Sequence, residues 1–287
     1  MKKLILRYHF FVLGCIGFIL NSCNSRFRVW VGAGNEQKIY NLKYGEHKKQ
    51  KMDVFLPAGY AEDAPVVLIV HGGAWKHGRK EHMIHIQKML FKNNIPSINI
   101  NYRLITKSVT YKQQLGDIDL AIEKFNTLAP KAKLLPDNYI ILGESAGGHL
   151  ALLYGYKNPQ QIKKIISLSG PTDFFSGKYL NSFYSKYSSP TVQKMVGTKF
   201  DRKNLSPEFE KASPIANTAN VPTLIFQGNR DLLVNQHQGL SLDSVLTLKN
   251  IPHKLVFMEG AGHTPRFFSK RKRDSIIYPN ILDWIKK

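Results

Sequence analysis

Residues 138–155 begin Asn138-Tyr139-Ile140-Ile141-Leu142-Gly143-Glu144-Ser145-Ala146-Gly147-Gly148-His149, and no other stretch restricts the possible folds as tightly. The β-branched and aromatic run at 139–142 favours an extended strand, while Leu150, Ala151, Leu152 and Leu153 are good helix formers. Only Gly143 to Gly147 turn the chain between them, so the segment predicts strand, sharp turn, helix. This is the G-x-S-x-G pattern of a nucleophile elbow, in which a strained serine projects its hydroxyl above a sheet. Side chains in place of the two glycines would collide with neighbouring backbone. A bare match arises by chance in roughly one chain in ten of this length. The reading therefore depends on whether the chain also supplies a base, an acid that orients it, and donors for an oxyanion, each at a strand end.

The chain has 287 residues, 43% of them apolar and 21% charged, enough for one large α/β domain with a buried core. Residues 38–44 and 51–56 alternate apolar and polar side chains around a Gly45-containing turn, which predicts an antiparallel hairpin. The apolar run 66–70 reads as a strand buried on both faces. It ends in His71-Gly72-Gly73-Ala74-Trp75, where adjacent glycines let backbone N–H groups face a ligand. Gly72 or Gly73, together with Ala146 after the elbow serine, are the candidate oxyanion donors. Helices are expected at 81–93 and 113–128, the second placing Leu115, Ile118, Ile122, Phe125 and Leu128 on one face. Strands are expected at 95–100 and 163–168.

From 174 to 214 the alternation of strand and helix breaks, and Phe174, Phe175, Tyr179, Phe183, Tyr184 and Tyr187 mix with polar residues. A connection of about forty residues predicts a small cap. Its aromatics either stack on a substrate or form the cap's own core. The strand at 222–227 leads into Gly228-Asn229-Arg230-Asp231, and that at 253–258 into Gly260-Ala261-Gly262-His263. Asp231 also suits a turn that caps the next helix. An amphipathic stretch at 275–285 closes the fold.

A serine hydroxyl is a poor nucleophile until a base takes its proton, and imidazole, titrating near ~6.5, can do this and return the proton to a leaving group. A buried carboxylate holds the ring in the useful tautomer. Ser145, Asp231 and His263 supply these groups in that chain order. His71 is read as a brace for the oxyanion loop and His149 as structural. His77, His82 and His85 have no accompanying carboxylate pattern, so no metal or other cofactor is expected.

The motifs Met52-Asp53-Val54-Phe55-Leu56-Pro57, His71 to Trp75, Asn101-Tyr102-Arg103-Leu104, Gly143 to Leu150, Gly228 to Asp231 and Gly262-His263 together resemble the α/β-hydrolase-fold carboxylesterases related to hormone-sensitive lipase, particularly the acetyl-xylan and feruloyl esterase branch. The resemblance implies an α/β fold with a mostly parallel eight-stranded sheet, helices on both faces and a small cap. It further implies a metal-independent ester hydrolase with an acyl-serine intermediate, acting on small acyl esters such as acetyl or feruloyl groups on polysaccharide. Ala74 stands where many relatives have a third glycine, and Glu144 where the lipase-like branch has aspartate. Trp75 and Glu144 are the candidate substrate-binding residues.

Residues 1–22, with Lys2, Lys3 and Arg7 before an apolar stretch, read as a bacterial-type export signal. Leu20-Asn21-Ser22-Cys23 resembles a lipobox, with Cys23 as the lipidated residue and 23–36 as a tether. The alternatives are ordinary secretion after cleavage near Gly32-Ala33-Gly34, and an uncleaved anchor. The expected location is the bacterial cell envelope, as an outer-membrane lipoprotein or in the periplasm, or outside the cell. Cys15 and Cys23 are the only cysteines, so the domain has no disulfide. The net charge of +21, lowered by three if that segment is removed, favours anionic surroundings. No nucleic-acid-binding signature is present, and the run Lys270 to Arg273 reads as solvated. Oligomeric state stays open. Other functions compatible with the residues are a formamidase or peptidase on the same fold, and a non-catalytic glycan-binding envelope protein.

Overall fold

The computed structural model describes residues 27–32 and 36–287; the export signal read at 1–22 and Cys23 lie outside the described residues. Val66, Leu68 and Val70 of one central strand enter one hydrophobic core, whereas Val67 and Ile69 enter another. Successive side chains on a strand point to opposite faces, so an unbroken apolar run requires cover on both sides. That strand is β4 (Val66–Val70), within a single sheet of nine strands among the described residues.

The others are β1 (Arg28–Val31), β2 (Gln37–Lys43), β3 (Lys51–Leu56), β5 (Ser97–Ile100), β6 (Tyr139–Glu144), β7 (Ile162–Leu168), β8 (Thr223–Gly228) and β9 (His253–Met258). Their order across the sheet is β1-β2-β3-β5-β4-β6-β7-β8-β9. β1, β2, β3 and β5 pair antiparallel, and β5, β4, β6, β7, β8 and β9 run parallel. The expected hairpin is β2 and β3. The strand beyond the expected eight is β1, which lies within the stretch read as a tether. Arg28-Val29-Trp30-Val31 buries neither of its faces, and it is extended because it pairs with Tyr40 through Gln37 at the sheet edge.

Helices α2 (Tyr111–Asn126), α3 (Ala146–Lys157) and α7 (His237–Leu248) contribute to the core on one face. Helix α1 (Ile84–Lys92) and the C-terminal helix Tyr278–Lys286 cover the other. Helix α2 starts two residues before the expected point because Thr110 and Gln113 form a capping box, which satisfies N–H groups that have no partner within the helix. Its Ile118, Ile122 and Phe125 are buried as expected, while Leu115 and Leu128 are half-buried.

The stretch 174–214 holds α4 (Gly177–Leu180), α5 (Phe183–Val196) and α6 (Glu208–Lys211). Phe174, Tyr179, Phe200 and Phe209 form an edge-to-face chain with centroids 5.2–6.3 Å apart, the geometry that aromatic quadrupoles favour. Phe174, Tyr179 and Phe209 belong to the same buried cluster as Leu150 and Leu153 of α3. These aromatics therefore anchor the segment to the sheet domain, and Phe174 and Tyr179 among them also border the cavity described below. Phe183 and Tyr187 are exposed.

Candidate active site

Ser145 joins β6 to α3 with φ 55° and ψ −123°, a conformation costly for a residue with a side chain. The elbow is closed so tightly that a Cβ on Gly143 would lie 2.1 Å from the Gly147 carbonyl oxygen, and one on Gly147 would lie 2.2 Å from that of Val70. Both glycines are thus dictated by backbone contact. The turn lifts the Ser145 hydroxyl to 2.7 Å from His263 Nε2, and His263 Nδ1 lies 2.8 Å from Asp231 Oδ2. A carboxylate only accepts hydrogen bonds, so Nδ1 carries the proton and Nε2 is left to accept from the serine. Asp231 Oδ1 accepts from the N–H groups of Leu233 and Val234 at 2.9 and 2.8 Å. The turn-capping role and the orienting role coexist on the two oxygens of one buried side chain.

Gly72 packs directly on the elbow: a Cβ there would meet the Glu144 carbonyl oxygen at 2.8 Å and Ser145 Cβ at 3.1 Å. Gly72, Gly73 and Ala146 all border the same cavity as Ser145. Ala146 opens α3, where the N–H has no partner within the helix and the helix dipole is positive. Ala74 and Trp75 have φ of 50° and 60°, a left-handed turn that would be less strained with glycine at 74.

Several buried contacts hold this strained loop. His71 Nδ1 contacts the Gly72 carbonyl at 2.7 Å, and its ring stacks on Tyr102 at 4.3 Å. The Tyr102 hydroxyl donates to the His71 carbonyl at 2.8 Å. Gln114 Nε2 and the Ile105 N–H both donate to the Trp75 carbonyl, each at 3.0 Å. Burial pushes the His71 imidazole down to about 4, so it stays neutral and serves as the brace expected.

Trp75 borders the cavity but is only 5% exposed, and its indole N–H donates to His149 Nδ1 at 3.0 Å. His149, fully buried on α3, reaches the Ala212 carbonyl at 2.8 Å through Nε2. Its imidazole is likewise lowered to about 4 by burial. One neutral ring thereby ties the 71–75 loop to the end of the 174–214 segment.

Glu144 also borders the cavity, yet it is not a free ligand for substrate. Arg266 Nε and Nη2 donate to its two carboxylate oxygens at 2.6 and 2.7 Å, with both residues buried. Arg266 lies three residues after His263, so the ion pair fastens the histidine's loop to the elbow strand. No sequence signal pointed to Arg266, because its partner is 122 positions away. Among the described residues no group of histidines, cysteines and carboxylates could hold a metal ion, and His77, His82 and His85 are exposed.

The cavity above Ser145 has a volume of about 840 Å³. It is bordered by Tyr179, Tyr184 and Val192 from the 174–214 segment, and by the exposed Leu232, Leu233 and Phe268. The Tyr184 hydroxyl donates to the Asp231 carbonyl at 3.3 Å. The Ser145 hydroxyl, the His263 ring held by Asp231, and the backbone of Gly72, Gly73 and Ala146 thus come together at one largely apolar space, an arrangement able to perform acyl transfer.

Among curated proteins, an isoprenylcysteine alpha-carbonyl methylesterase of Arabidopsis thaliana is 24% identical over 251 residues, covering 81% of this chain and 58% of its own length. A kynurenine formamidase of Salmo salar is 26% identical over 149 residues, 49% of this chain and 48% of its own. The chain spans about half the length of the curated relatives it matches. Among solved structures, a truncated carbohydrate esterase from gut microbiota superposes with a TM-score of 0.73 at 20% identity, covering 87% of this chain and 95% of that one. That likeness establishes the α/β-hydrolase fold. The family model BD-FAE matches residues 52–246, and the chain belongs to this α/β-hydrolase esterase family.

Proposed function

We propose that the protein is a serine carboxylesterase that works through an acyl-serine intermediate. The observation that carries this reading is the unbroken hydrogen-bond chain Ser145–His263–Asp231, whose serine and histidine border the cavity. Ser145 Oγ attacks the ester carbonyl while His263 Nε2 takes the hydroxyl proton, and Asp231 stabilises the imidazolium so formed. The N–H of Ala146 and that of Gly72 or Gly73 bind the oxygen as it gains charge. His263 then protonates the departing alcohol, which leaves Ser145 acylated. It next activates water to release the acid.

Acetyl or feruloyl esters of polysaccharides are the proposed substrates, supported by the resemblance to a carbohydrate esterase and by an apolar space large enough for an aryl or small acyl group. Replacing Ser145 with Ala is expected to lower hydrolysis of 4-nitrophenyl acetate by roughly 10³-fold or more, and to abolish labelling by a fluorophosphonate. Turnover by the pure variant at the parental rate would refute the reading.

The match to kynurenine formamidases supports a second reading, hydrolysis of N-formyl amides by the same machinery. Parallel kcat/KM measurements on an aryl acetate and an N-formyl anilide decide between them.

A further inference from the structure

Two carboxylates line the cavity over Ser145, and neither is available to a ligand. Glu144 gives both oxygens to Arg266. Asp173 is buried, and its oxygens accept from the N–H groups of Phe175 and Ser176, each at 3.0 Å, and from the Ser176 hydroxyl. Two exposed cations, Lys178 and Arg230, line the same cavity. Lys178 Nζ reaches only a neutral group, the Ser241 hydroxyl, at 3.3 Å. Among the described residues neither cation is paired with a carboxylate.

In a chain of net charge +21 an exposed, unpaired lysine or arginine means little by itself. The position of these two is what matters. Lys178 comes from α4, in the 174–214 segment, and Arg230 from the loop that carries Asp231. Two separate segments thus place positive charge on one substrate space that keeps no free acid. A cleft of one sign with apolar walls concentrates ligands of the opposite sign, and guanidinium and ammonium groups make strong charge-assisted hydrogen bonds to carboxylates.

We infer that the site selects esters that carry a carboxylate away from the scissile bond, with Lys178 and Arg230 as the residues that recognise it. This rests on the esterase reading above and narrows its substrates to acylated acids, such as an acetylated acidic sugar or an esterified aromatic acid. The charge is recognised on binding, so it acts on KM, and salt weakens it because both cations are exposed.

The test compares each anionic ester with its neutral isostere: 3-acetoxybenzoate with methyl 3-acetoxybenzoate for charge on the alcohol side, and 4-nitrophenyl hydrogen succinate with 4-nitrophenyl methyl succinate for charge on the acyl side. The readout is the ratio of kcat/KM, anionic over neutral, in each protein. Intrinsic reactivity cancels when that ratio is compared between proteins, and fluorophosphonate labelling of Ser145 counts competent sites. For at least one pair, the ratio is expected to fall about tenfold in Lys178→Gln/Arg230→Gln, through KM of the anionic ester. It should fall further in Lys178→Glu/Arg230→Glu. The wild-type ratio should also decrease as salt is raised, a measurement that needs no variant. Ratios that are equal in all three proteins and insensitive to salt, while the neutral esters are turned over, overturn charge selection and leave the esterase reading standing. Loss of both turnover and labelling in the wild type overturns the two together.

Discussion

Glu144 and Arg266 show how much of a site can be invisible along the chain. Positions 143, 145 and 147 are legible in the sequence because the turn forces them to be local: the glycines touch backbone within a few residues or on the adjoining strand. Asp231 and His263 are legible for a related reason, since each lies in a glycine-containing loop directly after a strand. Glu144, read as a substrate contact, borders the cavity but is held by an ion pair that the sequence did not reveal, because its partner is distant and no local pattern announces a buried ion pair. Both members are at most 5% exposed, so Glu144→Gln leaves the Arg266 charge buried with weakened compensation. The expected cost is about 3 kcal/mol, read as a lower urea midpoint. A midpoint within error of the parent would show that the pair adds nothing to stability.

At the scale of elements, the link from Trp75 through His149 to Ala212 joins three segments that sequence reasoning treated separately. Each was individually readable: a strand-end loop, an elbow helix and an irregular insertion. Their connection was not, because a histidine on a helix gives no sign of which side chains its two nitrogens will meet. Trp75→Phe keeps most of the aromatic packing but removes the donor, leaving His149 Nδ1 buried without its partner at a cost of roughly 1–3 kcal/mol. The 71–75 loop is then held less firmly at φ values it adopts only under constraint. The expected kinetic signature is a fall in kcat larger than any rise in KM for 4-nitrophenyl acetate. An unchanged kcat would mean that the remaining contacts of Gln114, Tyr102 and His71 suffice. Strand β1 was missed for the opposite reason, since its four residues acquire their conformation entirely from the neighbour they pair with.

For the molecule as a whole, His71 and His149 make stability depend on acidity. Burial lowers both to about 4, whereas in the unfolded chain an imidazole titrates near ~6.5. Between those values the unfolded chain binds protons that the folded one refuses, so stability declines as pH falls. Their contribution is complete above the unfolded value and is lost as pH drops through the folded one, roughly 3 kcal/mol for each ring across the window. Urea unfolding of the parent at pH 7 and pH 5 should show roughly 2 kcal/mol of this loss for each ring, and His149→Gln should show a shallower dependence. Parallel curves would remove His149 from the explanation. The overall architecture was legible because alternation, buried runs and glycine-marked strand ends recur through most of the chain, while the buried histidine contacts were set by tertiary packing.

Every backbone segment that borders the site leaves the sheet from the carboxyl ends of β4, β6, β7, β8 and β9. The connections at 158–161 and 249–252 lie at the other end, a strand length of about 20 Å away. The molecule is therefore polar in the sense of a tool with a handle. Attached by that far end to a bead, a fusion partner or a larger assembly, it would present its mouth outward, open to a polymer too large to enter whole.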